Sequence, residues 1–244
     1  MQTGGVPGSA DMAAAEMRGP GDPSTLHPAE AEHLGRAVPK RVQEFSAGRQ
    51  CARLAMASLG IVDFALRAAP DRQPIWPSSL VGSISHTAGW CVAVAASKAR
   101  LSAIGVDCEV VGHVGPEVWP SLFTPQEALW VDSLPEPERP AAAALIFSAK
   151  EAFYKCQYPL TGQWLDFHDL HIEPNLWGAA TAGFTVHATR PLALAEFISE
   201  RAFAGEHGAA PRRLGRRAAP DAPLAVAGQY LFHDGFVITG VPLR

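Results

Sequence analysis

VGSISHTAGWCVAVAASKARLSAIGVDCEV, residues 81–110, is the stretch on which the fold class turns. Val81 to Ala96 alternates around the turn residues of GSISHTAG and predicts a strand, a loop and a buried strand, WCVAVAA. Ala103 to Val110 predicts a further strand. Outward from there, Gln43 to Leu59 carries Phe45, Ala52, Leu54, Ala55, Met56 and Leu59 at helical spacings and stops at Gly60. Glu127 to Leu134 and Ala141 to Cys156 predict helices, the second opening just after Pro140, where a missing N–H costs nothing. Gln229 to Phe232 and Phe236 to Val241 flank His233-Asp234-Gly235, a hairpin signal. Helices and strands mix without the strict βαβα rhythm of a doubly wound sheet, so the expected class is α+β.

The 244 residues are 48% apolar and 18% charged, enough apolar material for a real core. A formal net charge of −4 gives no bulk positive field, so nucleic acid is not expected as a partner. No apolar run approaches the roughly 20 residues of a membrane-spanning helix, so no membrane is expected either. No apolar stretch precedes Arg18, the first basic residue, and a cytoplasmic protein is the expectation. Cys51, Cys91, Cys108 and Cys156 form no CxxC and read as buried free thiols. The scattered histidines suggest no His-based metal site. Residues 1–28 are rich in Gly, Pro, Ala and Ser and read as a mobile tail. Residues 205–223, with Arg212, Arg213, Arg216 and Arg217, read as a flexible loop, solvated or anion-binding.

In the strand Ile104-Gly105-Val106-Asp107-Cys108-Glu109, alternation sends Ile104, Val106 and Cys108 to the core and puts Asp107 and Glu109 on the other face. Two carboxylates about 7 Å apart raise each other's pKa unless a cation joins them, and oxygen ligands select a hard ion such as Mg²⁺. Gly105, on the same face, leaves room for a ligand to reach the backbone. Taken alone, the pair is equally the acidic solvent face of a half-exposed strand.

On the helix through Phe147-Ser-Ala-Lys-Glu-Ala-Phe-Tyr-Lys155, Glu151 and Lys155 are i and i+4, with Lys150 about 100° round the axis. Two of the four lysines in the chain stand here. Ser148 with Glu151 also fits a capping box, but the helical run AAAALIF leads straight into Ser148.

Gly105-x-Asp107-x-Glu109, followed about forty residues later by Lys150-Glu151-Ala152-x-x-Lys155, resembles the signature of the 4′-phosphopantetheinyl transferases, in the branch that serves siderophore, non-ribosomal peptide and polyketide synthases. Arg49-x-x-x-Arg53, Arg72-x-Pro74-x-Trp76-Pro77, Gly82-Ser-Ile-Ser-His86, Leu122-Phe-Thr-Pro-x-Glu127 and Pro159-Leu-x-Gly162 match in the same order. The resemblance spans roughly residues 40–243. It departs from the commonest wording at Phe147, often Trp, and at Cys108, which varies.

The resemblance implies an enzyme that moves 4′-phosphopantetheine from coenzyme A to a serine of an apo acyl or peptidyl carrier protein, releasing adenosine 3′,5′-bisphosphate. Asp107, Glu109 and Glu151 match its Mg²⁺ positions. Glu151 is the candidate base, and Lys155 the candidate to neutralise the transferring phosphate. Arg49, Arg53, Arg72, Ser85, His86, Lys150 and Lys155 match positions that hold coenzyme A, and arginine forks suit phosphate. Singly, each arginine also reads as a surface charge, His86 as a core histidine and Trp76 as a core tryptophan or an adenine cover. The implied fold is a pseudo-dimer of two similar α+β halves, 29–112 and 113–244, in a monomer. Two alternatives stay open: another Mg²⁺-dependent enzyme that cleaves a diphosphate, and a non-catalytic module binding coenzyme A or a carrier.

Overall fold

The computed structural model describes residues 11–32, 34–206 and 224–244. Its strands form two antiparallel sheets. The first, ordered β1-β3-β2, joins β1 (Met12–Arg18), β2 (Leu80–Thr87) and β3 (Trp90–Ser97). The second, ordered β4-β8-β7-β6-β5, joins β4 (Ala103–Val110), β5 (Leu170–Pro174), β6 (Thr181–Ala188), β7 (Ala225–His233) and β8 (Phe236–Leu243). Both tight hairpins use two successive residues at positive φ, Ala88 (42°) with Gly89 (75°) and Asp234 (50°) with Gly235 (78°), whose twist matches that of the flanking strands. The class is α+β, as expected.

Each sheet carries one long helix. Helix α2 (Pro39–Ala57) follows the single turn α1 (Pro28–Ala31) and lays Ala47, Cys51, Ala52, Ala55 and Met56 against Ala15, Leu80, Cys91, Ala93 and Ala95. Small residues on both surfaces let helix and sheet come close. In the second half come α3 (Trp119–Leu122), α4 (Pro125–Ser133), α5 (Arg139–Thr161) and α6 (Ala193–Glu206). The buried stripe of α5, from Ala142 through Ala149 to Cys156, packs with Phe184, Val186, Val237 and Val241 in the larger core. All four cysteines are free and buried. Among the described residues no helix is long and apolar enough to cross a membrane.

Strand β4 is where the halves meet. Ile104, Val106 and Cys108 pack against Val81, Trp90, Val92 and Ala96 of the first sheet. Although β2 and β4 share no ladder, Ser83 Oγ accepts the Val106 N–H (3.0 Å) and Ser85 Oγ donates to Asp107 Oδ1 (2.8 Å). The opposite face lies under α5, so Ala103 to Cys108 are all buried and the strand is not half-exposed. A Cβ at Gly105 would collide with the Ala152 carbonyl oxygen. The glycine therefore admits the helix, not a ligand.

Three further expectations are corrected. Residues 12–18, read as part of a mobile tail, form edge strand β1 paired with β3 from Met12↔Ala96 to Arg18↔Trp90. Their sequence, MAAAEMR, has no β-branched residue, and it is the ladder to β3 that makes it a strand. Residues 1–10 lie outside the described residues. The expected break near residue 112 falls earlier, because β4 pairs with β8 and the sheets change over within Lys98–Ser102. Of the loop expected at 205–223, residues 205 and 206 end α6, and 207–223 with their four arginines lie outside the described residues.

Candidate active site

A cleft of about 900 Å³ opens between the halves, walled by α2, the loop 68–76, β2, the start of β4 and the last turns of α5. At one end, Arg41, Phe45 and Arg49 stand four residues apart on α2. Arg49 is 5% exposed, its Nε has no hydrogen-bond partner, and its guanidinium lies 4.1 Å over the Phe45 ring. Burial, helped by Arg41 and Arg53 and opposed by Glu30, lowers its pKa to about 10, so it stays charged at neutral pH. Arg41 Nη1 lies 3.2 Å from His86 Nε2. A guanidinium only donates, so that nitrogen accepts and the imidazole is neutral. Burial, with a smaller push from Arg41 and Lys155 against Glu44 and Asp107, lowers the His86 pKa in agreement. Arg72, at φ 73°, lines the cleft from the loop, and the Trp76 ring comes so close to Gly82 that a Cβ there would collide with it.

The other end is built on β4 and α5. Lys155 Nζ donates to Asp107 Oδ1 (2.6 Å) and to Ser85 Oγ (3.1 Å). Burial pulls its pKa down, but the Asp107 charge and hydrogen bond and the Glu151 charge outweigh burial, and the net direction is up. Asp107 Oδ2 is buried with no partner. Burial and then the Asp107 charge push the Glu109 carboxyl to about 7, against a weaker pull from Thr87 at 3.4 Å. Burial raises Glu151 as well, with Lys155 opposing.

The donor chemistry fits a hard cation. The Asp107 charge is felt at both Glu109 and Glu151, and one buried Asp107 oxygen is left over. As they stand, no three His, Cys, Asp or Glu side chains among the described residues lie close enough to hold a metal ion, and Lys155 supplies the positive charge at Asp107.

The structure therefore brings Arg49, Arg72, His86 and Lys155 to the cleft, with Asp107 behind Lys155. Glu109 and Glu151 do not line the cleft, and Arg53 and Lys150 are taken up elsewhere. Arg53, one turn beyond Arg49, turns away to pair with the buried Glu30 (2.6 Å) and to donate to the Thr25 carbonyl (2.8 Å). Lys150 is 1% exposed and spends its three protons on Glu127 (2.7 Å), the Leu122 carbonyl (2.7 Å) and the Phe167 carbonyl (2.8 Å). Ser85 holds Asp107 and Lys155 and is not on the cleft wall. Missed from the sequence were Arg41, left out by starting the helix at Gln43, and the aromatic wall. In that wall Tyr154 stacks on Tyr158 (5.2 Å) and meets Trp164 edge-on (5.5 Å). The Arg41-Phe45-Arg49 spacing was the available signal for the first.

Comparison with known proteins covers both halves. Residues 29–96 match the 4′-phosphopantetheinyl transferase N-terminal domain, and residues 103–208 the 4′-phosphopantetheinyl transferase superfamily. The chain is 34% identical over 219 residues to the 4′-phosphopantetheinyl transferase Npt of Nocardia iowensis, 88% of each chain. It is 40% identical over 172 residues to Svp of Streptomyces mobaraensis, 68% of this chain and 69% of that one. Over 132 residues, 51% of each chain, it is 40% identical to enterobactin synthase component D of Salmonella typhi. With both halves matched in chain order around this cleft, the chain belongs to the 4′-phosphopantetheinyl transferase family and is an enzyme that transfers phosphopantetheine to carrier proteins.

Proposed function

We propose that coenzyme A lies along the cleft with its 3′-phosphate at Arg41, Arg49 and His86 and its pyrophosphate between Arg72 and Lys155, and that Glu151 accepts the proton of the carrier serine. The observation that carries this reading is Arg49, a buried, charged guanidinium on the cleft wall whose Nε has no partner in the protein. Such a group calls for an anion. The serine Oγ attacks the phosphorus bearing the pantetheine arm. The bond from that phosphorus to the bridging oxygen breaks, adenosine 3′,5′-bisphosphate leaves with the electron pair, and the serine proton passes to Glu151. Lys155 neutralises charge on the transferring phosphate, and Ser85 keeps Lys155 and Asp107 in register. Asp107, Glu109 and Glu151 would hold Mg²⁺, which when bound neutralises the pyrophosphate oxygens.

Both walls of the cleft come from one chain, which supports a monomer, and four buried free cysteines support a cytoplasmic location. The likeness to enterobactin synthase component D supports carriers of the siderophore and non-ribosomal peptide type. Intact-mass measurement of a panel of apo carriers, after incubation with the enzyme, coenzyme A and Mg²⁺, tests the reading. Modified carriers gain one phosphopantetheine each; a panel with no gain sinks it. In single turnover, Glu151→Gln is expected to slow transfer about 10²- to 10⁴-fold while coenzyme A still binds. Near-wild-type transfer would remove Glu151 as the base.

A further inference from the structure

Glu30 is a fully buried carboxylate that no step above uses. It sits on the single turn α1, where Oε2 accepts the His27 N–H (2.9 Å) as half of a capping box and also takes Arg53 Nη1 at 2.6 Å. Oε1 accepts the N–H of Leu66, itself fully buried, at 2.9 Å. Leu66 opens the segment that reaches into the cleft. Past it, Ile75 donates to the Arg67 carbonyl (2.9 Å), Ala69 to that of Gln73 (2.8 Å) and Arg72 to that of Ala69 (2.8 Å), with Ala68 bridged to Pro74. The segment is a stiff hairpin with Arg72 at its tip and Trp76 at its exit, and Glu30 ties its root to α2 through Arg53. It is thus joined to the helix that carries Arg41 and Arg49.

We propose that Glu30 is a positioning residue for coenzyme A: by holding the Leu66 N–H and Arg53 together, it fixes the distance between the Arg72 hairpin and the phosphate-facing side of α2. This rests on the placement of coenzyme A given above. The Glu30 charge also offsets part of the burial that works against the Arg49 charge.

Removing Glu30 alone takes the acceptor from the partly buried Arg53 and from the buried Leu66 N–H, which destabilises the fold whatever else Glu30 does. The test therefore uses the double variant Glu30→Met with Arg53→Met, which removes both charges and leaves apolar side chains of similar length, alongside Glu30→Gln. The glutamine keeps a carbonyl oxygen for Leu66. For each, KM for coenzyme A and kcat are measured with saturating apo carrier, and amide hydrogen exchange is followed over residues 66–75 and over β4. The double variant is expected to raise KM about tenfold, the scale of a lost charge-assisted bond, with kcat within about twofold and faster exchange at 66–75 only. Glu30→Gln, whose amide nitrogen then faces Arg53 and the His27 N–H, is expected to raise KM less than the double variant does, because the Leu66 bond survives in it. A double variant with wild-type KM overturns the proposal. So does a kcat loss at unchanged KM, exchange that rises equally in β4, or a glutamine variant as impaired as the double one. If the wild-type enzyme modifies no carrier, the functional reading itself has failed, which is a separate result.

Discussion

The two halves repeat one device, and the repeat separates cations that hold the fold from cations that face substrate. In the first half Glu30, at the third position of a short capped helix, accepts its own cap's N–H, binds Arg53 of the long helix and accepts the Leu66 N–H. In the second half Glu127, at the third position of α4, accepts the Thr124 N–H (2.7 Å), binds Lys150 of α5 (2.7 Å) and accepts the Ile172 N–H (2.6 Å). In each case the neighbouring cation on the same long helix, Arg49 or Lys155, lines the cleft. In the i,i+4 pair Arg49 and Arg53 and the i,i+5 pair Lys150 and Lys155, one side chain goes to a buried glutamate and the other to the site. The halves differ in the third arm. That of Glu127 ends on β5 in the core, and that of Glu30 ends on the hairpin that enters the cleft.

The sharpest way to break this division is to exchange the roles. Asp107→Ala is expected to abolish transfer in a folded protein, since it removes Lys155's partner and the buried orphan oxygen together, and excess chelator should do the same to the wild type. Activity that survives chelation would remove the metal from the site. Lys155→Ala should lower single-turnover transfer per folded molecule about 10²- to 10³-fold, and it also costs stability because it leaves the buried Asp107 unpaired. Lys150→Ala should cost stability alone. It leaves Glu127 buried and unpaired, a cost of about 3–5 kcal/mol in urea unfolding, while transfer per folded molecule stays close to wild type. A Lys150 variant of normal stability and poor coenzyme A binding would erase the distinction.

For the arginines the contrast is smaller. Arg49→Ala is expected to weaken coenzyme A about tenfold or more and dephospho-coenzyme A much less, because only the former carries the 3′-phosphate. Arg53→Ala acts through Glu30 and so should weaken both ligands alike. Calorimetry with the two ligands reads this directly, and a 3′-phosphate-selective loss at Arg53 would put that side chain back on the cleft.

Which of two motif cations is which was not legible in the letters. Spacing placed Glu151 and Lys155 on one face of α5 and Asp107 and Glu109 on one face of β4, because local periodicity fixes direction. Assigning Arg53 and Lys150 needed Glu30 and Glu127, 23 residues away from each, whose burial only the tertiary fold reveals. Strand β1 was hidden for a like reason. Its alanines declare no preference, and its pairing to β3 spans more than seventy residues of chain. Gly105 was read correctly as a close approach but assigned to a ligand, since a glycine shows that something comes near and not what comes near.

The finest test of the division uses two histidines, His86 at the cleft and His171 at the Glu127 clamp, where it meets Thr124 Oγ1 at 3.0 Å. Burial lowers the pKa of both. In the free enzyme His86 is neutral and accepts from Arg41. A 3′-phosphate in contact with it favours the imidazolium, so its pKa in the complex stands above its value in the free enzyme. Binding then takes up a proton, and affinity rises as pH falls through the window between the two values. Because burial holds the free His86 pKa below 6.5, coenzyme A should tighten between pH 8 and 6.5 by less than the roughly threefold that a rise of about half a unit gives in full at lower pH. Dephospho-coenzyme A should show a flat profile, and His86→Gln should flatten that of coenzyme A. His171→Gln should leave the coenzyme A profile as it was, because its ring answers to Glu127 and not to the ligand. Parallel profiles for the two ligands, or a flattening caused by the His171 variant, would mean that the proton is taken up elsewhere and that His86 does not touch the 3′-phosphate.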